Sequence, residues 1–525
     1  MRDLLFLVLA LIPFTALNLW RLRGELHMLQ LTGYFPERYV RWFRTQGLAR
    51  YRQAREPYLL FALLPGVAWG AWLVFATFET LIWLGRRDRV EKKPLVMTQR
   101  AARAYAGSLM LLTLFSGAAL ALLPFRAAAA ALALIQLGSP VLMWLTSLIM
   151  KPVEDAINRS YLNDARRIVR SMPNLRIVGI TGSYGKTSTK HVLAELLGES
   201  RNVLHTPGSF NTPMGVTRTV REQLRASHEI FIAEMGARQP GNIRELCELT
   251  PPHAGILTAI GEQHLETFGT LEALQRTKWE LAEALPADGF LVCNVDHAAV
   301  RDILARAPVR ARVIRCGMTA PEADHRAENL SVTAAGISFD LVRPGHPPLH
   351  LTTRLLGRHN VINITLAAVT ALELGVTPES IRIAVSGLRP VPHRLELKRN
   401  ASGFLILDNA FSSNPAGAAS ALEMLKLIEG GRKVLITPGM VELGAVEYAC
   451  NKTFGVQAAA AADVVVLVGR QRAVAIHEGL REAGFPEEHV VVAEDLKAAS
   501  TWMHANLKPG DVILFENDLP DTYLG

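Results

Sequence analysis

The chain has 525 residues, which is room for about three domains. Half of the residues are hydrophobic, the mean hydropathy is +0.19 and the formal net charge is +8. Much of this charge comes from arginines near the apolar residues concentrated in positions 1–150, so we interpret it as membrane-surface charge rather than nucleic-acid binding. The cysteines form no CxxC pair, which indicates a reduced compartment and argues against structural zinc: Cys247, Cys293, Cys316 and Cys450.

Residues 1–150 are predicted to form a helical region in a membrane, because several runs are apolar for long enough to span or begin to span a bilayer. These runs are residues 4–20, 58–84, 105–125 and 127–150. A signal peptide is the alternative for the first run, although no small-residue cleavage site precedes Arg21. We expect a multi-pass protein of the cell (inner) membrane with cytoplasmic catalytic domains, while the number and orientation of the spans stay open.

The arginine-rich residues 21–55 are interleaved with tyrosine, tryptophan and phenylalanine. That mixture is typical of a helix in the lipid headgroup zone, which makes membrane lipid a predicted partner. A solvated surface helix is the alternative.

After an amphipathic linker helix in residues 151–174, short apolar strands alternate with helices, which is typical of an α/β protein with parallel sheets. We expect a central P-loop-type domain in residues 175–390 and a smaller Rossmann-like α/β domain in residues 391–525. The predicted strands are 175–180, 202–205, 229–234, 255–260, 290–294, 404–407, 433–437, 463–468, 490–492 and 512–515.

A glycine-rich turn, Gly-Ile-Thr-Gly-Ser-Tyr-Gly-Lys-Thr-Ser-Thr at 179–189, joins the first of these strands to a helix. Converging backbone N–H groups and the helix dipole make such a turn an anion cradle. Lys186 is predicted to reach the outer phosphates of ATP, and the Thr187 hydroxyl to ligate Mg²⁺. The other predicted nucleotide contacts of the loop are Gly182, Ser183, Gly185 and Ser188. The alternative is a glycine-rich turn that binds nothing.

Polar side chains follow two other strands of the predicted sheet. Glu234 ends one strand, and His264 lies in the turn after another. Both are predicted to serve Mg²⁺ beside Thr187, because ligands bind at the carboxyl ends of parallel strands. The alternatives are a solvated strand end for Glu234 and a helix cap for His264.

Four further side chains are weaker candidates for the functional site. Asn360 and Asn363 are one helical turn apart and can face one ligand, and their amides suit the edge of adenine; helix capping by Asn360 is the alternative. Asn294 closes a strand and is a candidate nucleotide contact, with a polar strand end as the alternative. Lys278 on its own is an ordinary surface lysine.

From about residue 175 the chain resembles the Mur ligase family, the ATP-dependent amide-forming ligases of peptidoglycan synthesis. The motifs that carry this resemblance occur in family order over about 350 residues. They are GITGSYGKTS (179–188), FNTPMGV (210–216), AEMGA (233–237), HLETFG (264–269), the Lys278 helix, GRHNVIN (357–363), HRLE (393–396), DNAFSSNP (408–415) and GMVELG (439–444).

The resemblance implies a role for each matching residue. Lys186 contacts the ATP phosphates, and Asn211 lies near the γ-phosphate. One Mg²⁺ is held by Thr187 and Glu234, and a second by His264. The remaining implied roles are a carbamoylated lysine at Lys278, adenine binding by Asn360 and Asn363, and contacts from the third domain to ATP by Arg394 and Asp408.

The implied activity is ligation of a carboxylate to an amine through an acyl phosphate. The implied substrates are a peptidoglycan-type precursor, UDP-linked or lipid-linked, and an amino acid or dipeptide such as D-alanyl-D-alanine. The predicted membrane region stands where the family carries a UDP-sugar-binding domain. Phe411 and Ser412 replace the usual Tyr and Asn, which leaves the substrates open. A membrane ATPase coupled to transport or polymer export is the alternative, and a catalytically inactive scaffold is a third reading.

Overall fold

The computed structural model describes residues 2–47, 94–261, 268–399, 403–411, 413–441 and 443–518. Two compact units are present, one formed by residues up to Arg159 and the other by Ser160–Asp518.

The first unit is helical in its described residues. Its helices are α1 (Arg2–Leu31), α2 (Pro36–Trp42) with a following π-helical turn (Phe43–Gly47), α3 (Gln99–Leu122), α4 (Phe125–Leu137) and the start of α5 (Ser139–Arg170). Leu22, Leu26 and Met143 are fully buried in its apolar core. Polar contacts also join α3 to α5: the Ser108 hydroxyl donates to Thr146 Oγ1 at 3.0 Å.

Four apolar stretches were predicted in this part of the chain. Residues 4–20 lie within α1 and residues 105–125 largely within α3, whereas 127–150 is divided between α4 and α5 at Gly138. Residues 58–84 lie outside the described residues. Within the described residues, one helix, α3, has the length and composition of a membrane span, a test that core helices of other proteins also pass. The prediction of a multi-pass inner-membrane protein needed several such helices and is wrong.

The predicted linker helix does not begin at residue 151. It is the second half of α5, which continues through Pro152 and ends at Arg170.

A nine-stranded sheet forms the first part of the second unit. Its strands are β1 (Arg176–Thr181), β2 (Val203–His205), β3 (Ile230–Glu234), β4 (Ala254–Leu257), β5 (Phe290–Asn294), β6 (Arg312–Gly317), β7 (His325–Thr333), β8 (Gly336–Arg343) and β9 (His346–Thr353). They are arranged in the order β2-β3-β1-β4-β5-β6-β7-β8-β9. Pairing is parallel from β2 to β7 and antiparallel between β7, β8 and β9. The parallel part was predicted, and the antiparallel extension was not.

Helices cover this sheet. They are α6 (Lys186–Gly198), α7 (Pro213–Gln223), α8 (Asn242–Leu249), α9 (Leu271–Ala284), α10 (Ala298–Arg306), α11 (His359–Glu373) and α12 (Pro378–Gly387). Alternate residues of β1 point to opposite faces, so Val178 and Ile180 lie in one apolar core and Ile177 in another. Burial on both faces explains the continuous apolar runs of these strands.

A six-stranded sheet follows. Its strands are β10 (Glu396–Arg399), β11 (Leu405–Asn409), β12 (Lys433–Thr437), β13 (Val464–Val468), β14 (Val490–Ala493) and β15 (Val512–Glu516), in the order β10-β11-β15-β12-β13-β14. Among the strands that the structure describes in this sheet, only β10 pairs antiparallel. Its helices are α13 (Pro415–Leu427), α14 (Glu447–Ala459), α15 (Arg470–Glu482) and α16 (Leu496–Asn506), with short 3-10 turns at Gly444–Val446 and Glu487–His489. The predicted α/β class with two parallel-sheet parts is confirmed.

Candidate active site

The phosphate loop lies between β1 and α6, as the sequence predicted. Gly185 precedes the first residue of α6 with φ +82°, a conformation that favours glycine. A Cβ atom at this position would lie 2.5 Å from Asn363 Oδ1, so a larger residue does not fit. Ser183 is fixed by its backbone N–H, which donates to the Ala259 carbonyl after β4 at 2.7 Å. The loop is therefore shaped by its neighbours on β4 and α11.

Lys186 turns back over this loop. Its Nζ donates to the carbonyls of Gly182 at 2.7 Å and Ser183 at 3.1 Å. Burial lowers the pKa of Lys186 to about 8, against the opposing effect of the Glu234 charge. The amine thus lies inside the anion cradle, where a phosphate would meet it.

Glu234 lies beside the phosphate loop because β3 is the direct neighbour of β1. Its Oε1 is 3.2 Å from Thr187 Oγ1 and accepts a hydrogen bond from Asn211 Nδ2 at 3.1 Å. Burial raises the pKa of Glu234, but the charges of Lys190 and Lys186 outweigh burial and keep the pKa below its ordinary value. Glu234 is therefore an anionic oxygen donor next to a hydroxyl.

These two oxygens fit a hard cation such as Mg²⁺, which prefers carboxylate, hydroxyl and water ligands. In the described part of the chain, no group of three or more His, Cys, Asp or Glu side chains is placed to hold a metal ion. His264 lies in residues 262–267, outside the described residues, so its metal role stays a prediction.

Lys278 is on α9 and is buried rather than solvated, contrary to what a lone lysine suggests. Burial, together with the nearby charge of Lys186, holds the pKa of Lys278 well below its ordinary value. Burial therefore favours the neutral form of this amine, near the phosphate loop.

A cavity of about 160 Å³ lies beside α6 and the segment that leads to β10. Its polar lining residues are Ser188, His191, Glu195, Asn360, Arg389 and Arg394. Burial lowers the pKa of His191 to about 4, so this ring is neutral. The wall thus combines neutral hydrogen-bonding groups, which suit a nucleoside base, with charged side chains.

Asn363 does not line this cavity but supports the residue that does. Its Nδ2 donates to Asn360 Oδ1 at 3.2 Å, and its Oδ1 accepts from the Thr189 hydroxyl at 3.2 Å. Asn360 in turn donates to the Leu356 carbonyl at 2.8 Å. The two asparagines therefore form one chain of hydrogen bonds between the phosphate loop and the cavity.

Arg394, from the segment before β10, reaches the phosphate loop. Its Nη2 is 3.4 Å from Thr187 Oγ1, and the Phe411 ring centroid lies 4.5 Å from its guanidinium carbon. This cation–π contact restrains both the position and the orientation of the guanidinium group.

Two predicted contact residues have local partners in the structure. Asp408 is the second-last residue of β11. It accepts a hydrogen bond from Lys398 Nζ and pairs with His393 Nδ1, each at 2.8 Å. Asn294, at the end of β5, accepts from the Asp296 N–H at 3.1 Å and is two strands away from β1. Their nucleotide contacts stay predictions.

Sequence reasoning missed Lys190 and His191. Lys190 Nζ donates to Glu234 Oε2 at 3.0 Å, and this side chain is fully buried. The available signal was the spacing: Lys190 is one helical turn after Lys186, so both point toward the same edge of the sheet.

A phosphate loop with a carboxylate beside it and a cavity for a base defines a nucleotide-dependent enzyme on a parallel sheet. Comparison with known families makes the class specific. The profile described as "Mur ligase middle domain" matches residues 180–371, and that described as "Mur ligase, glutamate ligase domain" matches residues 393–516.

Individual relatives agree. UDP-N-acetylmuramoyl-tripeptide–D-alanyl-D-alanine ligase of Mycobacterium leprae is 35% identical over 375 residues, which is 65% of this chain and 71% of the relative. The ligase of the same name from Escherichia coli is 33% identical over 318 residues, covering 60% of this chain and 69% of the relative. MurF from Acinetobacter baumannii aligns with a TM-score of 0.61 at 24% identity, over 70% of this chain and 78% of that one, which supports the fold alone.

The chain belongs to the Mur ligase family. The predicted enzyme class is confirmed: the protein is an ATP-dependent ligase that forms an amide bond, and Mur ligases use ATP and Mg²⁺. The membrane ATPase alternative is not favoured. Neither profile reaches residues 1–150, and no comparison supports the predicted membrane region in place of a UDP-sugar-binding domain.

Proposed function

We propose that this protein joins D-alanyl-D-alanine to UDP-N-acetylmuramoyl tripeptide. The relatives from Mycobacterium leprae and Escherichia coli are named for that reaction. The observation that carries the proposal is the juxtaposition of Lys186, Thr187 and Glu234 at the ends of two adjacent parallel strands.

In the proposed reaction, the carboxylate of the tripeptide takes the γ-phosphoryl group of ATP and ADP is released. The amine of the dipeptide then attacks the acyl carbon, displaces inorganic phosphate and loses a proton, which leaves an amide bond. Lys186 leaves the carbonyls of Gly182 and Ser183 to contact the phosphates, and Arg394 adds a second cation beside Thr187. Thr187 and Glu234 would hold Mg²⁺, which offsets charge on the transferring phosphoryl group. Asn360 and His191 would bind the base.

We further propose that Lys278 is carbamoylated. Its amine is buried and its pKa is well below the ordinary value, which favours the neutral form that reacts with carbon dioxide. The new N–C bond releases one proton and converts the neutral amine into an anionic carbamate. Carbon-13 NMR of the full chain with labelled bicarbonate at mildly alkaline pH, with Lys278→Ala as the control, tests this, because acid would release the carbon dioxide again. A carbamate signal in wild type alone is expected, and identical spectra would contradict it.

The test of function is phosphate release by the full chain with ATP and Mg²⁺. The arms are the dipeptide alone, UDP-linked tripeptide with the dipeptide, and lipid-linked tripeptide with the dipeptide, with Lys186→Ala as the blank. Release that requires both the UDP-linked tripeptide and the dipeptide, with a new amide detected by mass spectrometry, is expected. Release that is indifferent to the acceptor, or specific to the lipid-linked substrate, would contradict the proposal.

A further inference from the structure

Glu234 uses its two oxygens for different purposes. Oε1 faces Thr187 Oγ1 and Asn211 Nδ2, which is the side on which a metal ion would bind. Oε2 accepts a hydrogen bond from Lys190 Nζ at 3.0 Å, in a pair whose side chains are 0% and 1% exposed. The lysine therefore occupies one oxygen of the carboxylate and leaves the other for a ligand.

Lys190 also fixes the loop that supplies Asn211. Its Nζ donates to the carbonyl of Gly208, three residues before that asparagine. The loop is tied again where the Gly236 N–H donates to the Asn211 carbonyl at 2.7 Å. Rotation of the Glu234 carboxylate would consequently break a buried ion pair and disturb the attachment of Asn211.

This arrangement has a consequence for the kind of cation that fits. Mg²⁺ is small and octahedral and accepts one oxygen from each carboxylate, whereas Ca²⁺ is larger and commonly takes both oxygens of one carboxylate. A carboxylate whose second oxygen is held by a buried lysine offers a single oxygen. We propose that Lys190 is a positioning residue that restricts Glu234 to one-oxygen coordination and so sets the preference of the site for Mg²⁺ over Ca²⁺. The proposal deepens the proposed function, because it rests on a metal ion bound between Thr187 and Glu234.

The test measures metal binding directly rather than turnover. Mn²⁺ bound to the full chain with a non-hydrolysable ATP analogue is followed by electron paramagnetic resonance, and Mg²⁺ and Ca²⁺ are titrated as competitors. Lys190→Met removes the charge and the donor, while Lys190→Gln keeps a donor of similar length. Lys433→Met is the matched control, since it removes a partly buried lysine of the six-stranded sheet that donates to a backbone carbonyl.

We expect Lys190→Met to shift the ratio of Mg²⁺ to Ca²⁺ competition constants toward Ca²⁺ by about tenfold, the effect typical of removing a partner of a metal ligand. Lys190→Gln should shift the same ratio by less, and it keeps the test decisive if the methionine variant does not fold. A ratio equal to that of wild type in the folded Lys190 variants, or an equal shift in Lys433→Met, would overturn the proposal. If wild type itself binds no Mn²⁺, or Glu234→Gln binds it equally well, the metal site of the proposed function fails instead.

Discussion

Glu516→Gln should stabilise the protein at alkaline pH. Glu516 ends β15 in the six-stranded sheet and is 1% exposed. Its two oxygens face the Ser413 hydroxyl at 2.5 Å and Asn409 Nδ2 at 2.8 Å, with no cation among these contacts. Burial raises the pKa of Glu516 from 4.5 to about 7 despite these hydrogen bonds. A neutral carboxyl group is therefore the form that this site favours.

The size of the effect follows from linkage. Between pH 4.5 and about 7, the folded chain keeps a proton that the unfolded chain has lost, so this group's stabilising contribution is full below pH 4.5 and is lost as pH rises through about 7. Each pH unit in that window contributes about 1.4 kcal/mol, so about 3 kcal/mol is lost in total. Glutamine cannot ionise, and its amide can still donate to Ser413 and accept from Asn409.

Urea unfolding of the full chain at about pH 5 and about pH 8 measures this difference, and pairwise comparison with wild type cancels the other titrating groups. The unfolding free energy of Glu516→Gln relative to wild type should rise by about 2.5 kcal/mol between the two pH values, because part of the loss has already occurred at pH 5. Glu423→Gln, at an exposed position on α13, is the control and should follow wild type. A constant difference across pH, or the same rise in the control, would refute the reasoning.

Two predictions concern the phosphate loop. Gly185→Ala should abolish binding of ADP in calorimetry, because its Cβ atom would lie 2.5 Å from Asn363 Oδ1 at a backbone φ of +82°. Gly198→Ala is the control and should bind ADP as wild type does, because nothing lies within 4 Å of its Cβ atom. Tight binding of ADP by Gly185→Ala would contradict this account. Asn363→Ala should lower the unfolding free energy by about 2–4 kcal/mol, because it leaves buried groups of Asn360 and Thr189 without their partners. It should also raise KM for ATP more than it lowers kcat, and an unchanged KM would show that Asn360 needs no such support.

Much of the candidate site was predictable because its residues are carried by local patterns. The glycine spacing predicted the loop, and the apolar run that ends at Glu234 predicted a carboxylate at a strand end. The pairing of β3 with β1 is a tertiary contact. The sequence indicates it only through the rule that ligands bind at the carboxyl ends of parallel strands. The spacing of Asn360 and Asn363, one helical turn apart, predicted that they act as a pair. It did not predict that Asn360 lines the cavity while Asn363 supports Asn360.

Other features could not be predicted from local patterns. A lysine in a helix is ordinarily solvated, so the burial of Lys190 and Lys278 depends on neighbours that are distant in sequence. The antiparallel strands β7–β9 carry alternating polar residues and two prolines and lack the continuous apolar runs of the parallel strands. Apolar length alone likewise predicted a membrane span at 127–150. In the structure α4 ends before Gly138, and a second helix, α5, begins at Ser139 and continues as far as Arg170.

The order of strands in the two sheets bears on aggregation. Among the described strands, the nine-stranded sheet ends in β2, which has three residues, and in β9, which contains Pro347 and Pro348. Short strands and prolines prevent an edge from pairing with another chain. The six-stranded sheet ends on one side in the charged β10 and on the other in β14, whose sequence is Val-Val-Val-Ala with Val492 45% exposed. When the protein is partly unfolded, non-native pairing between molecules should therefore begin at β14.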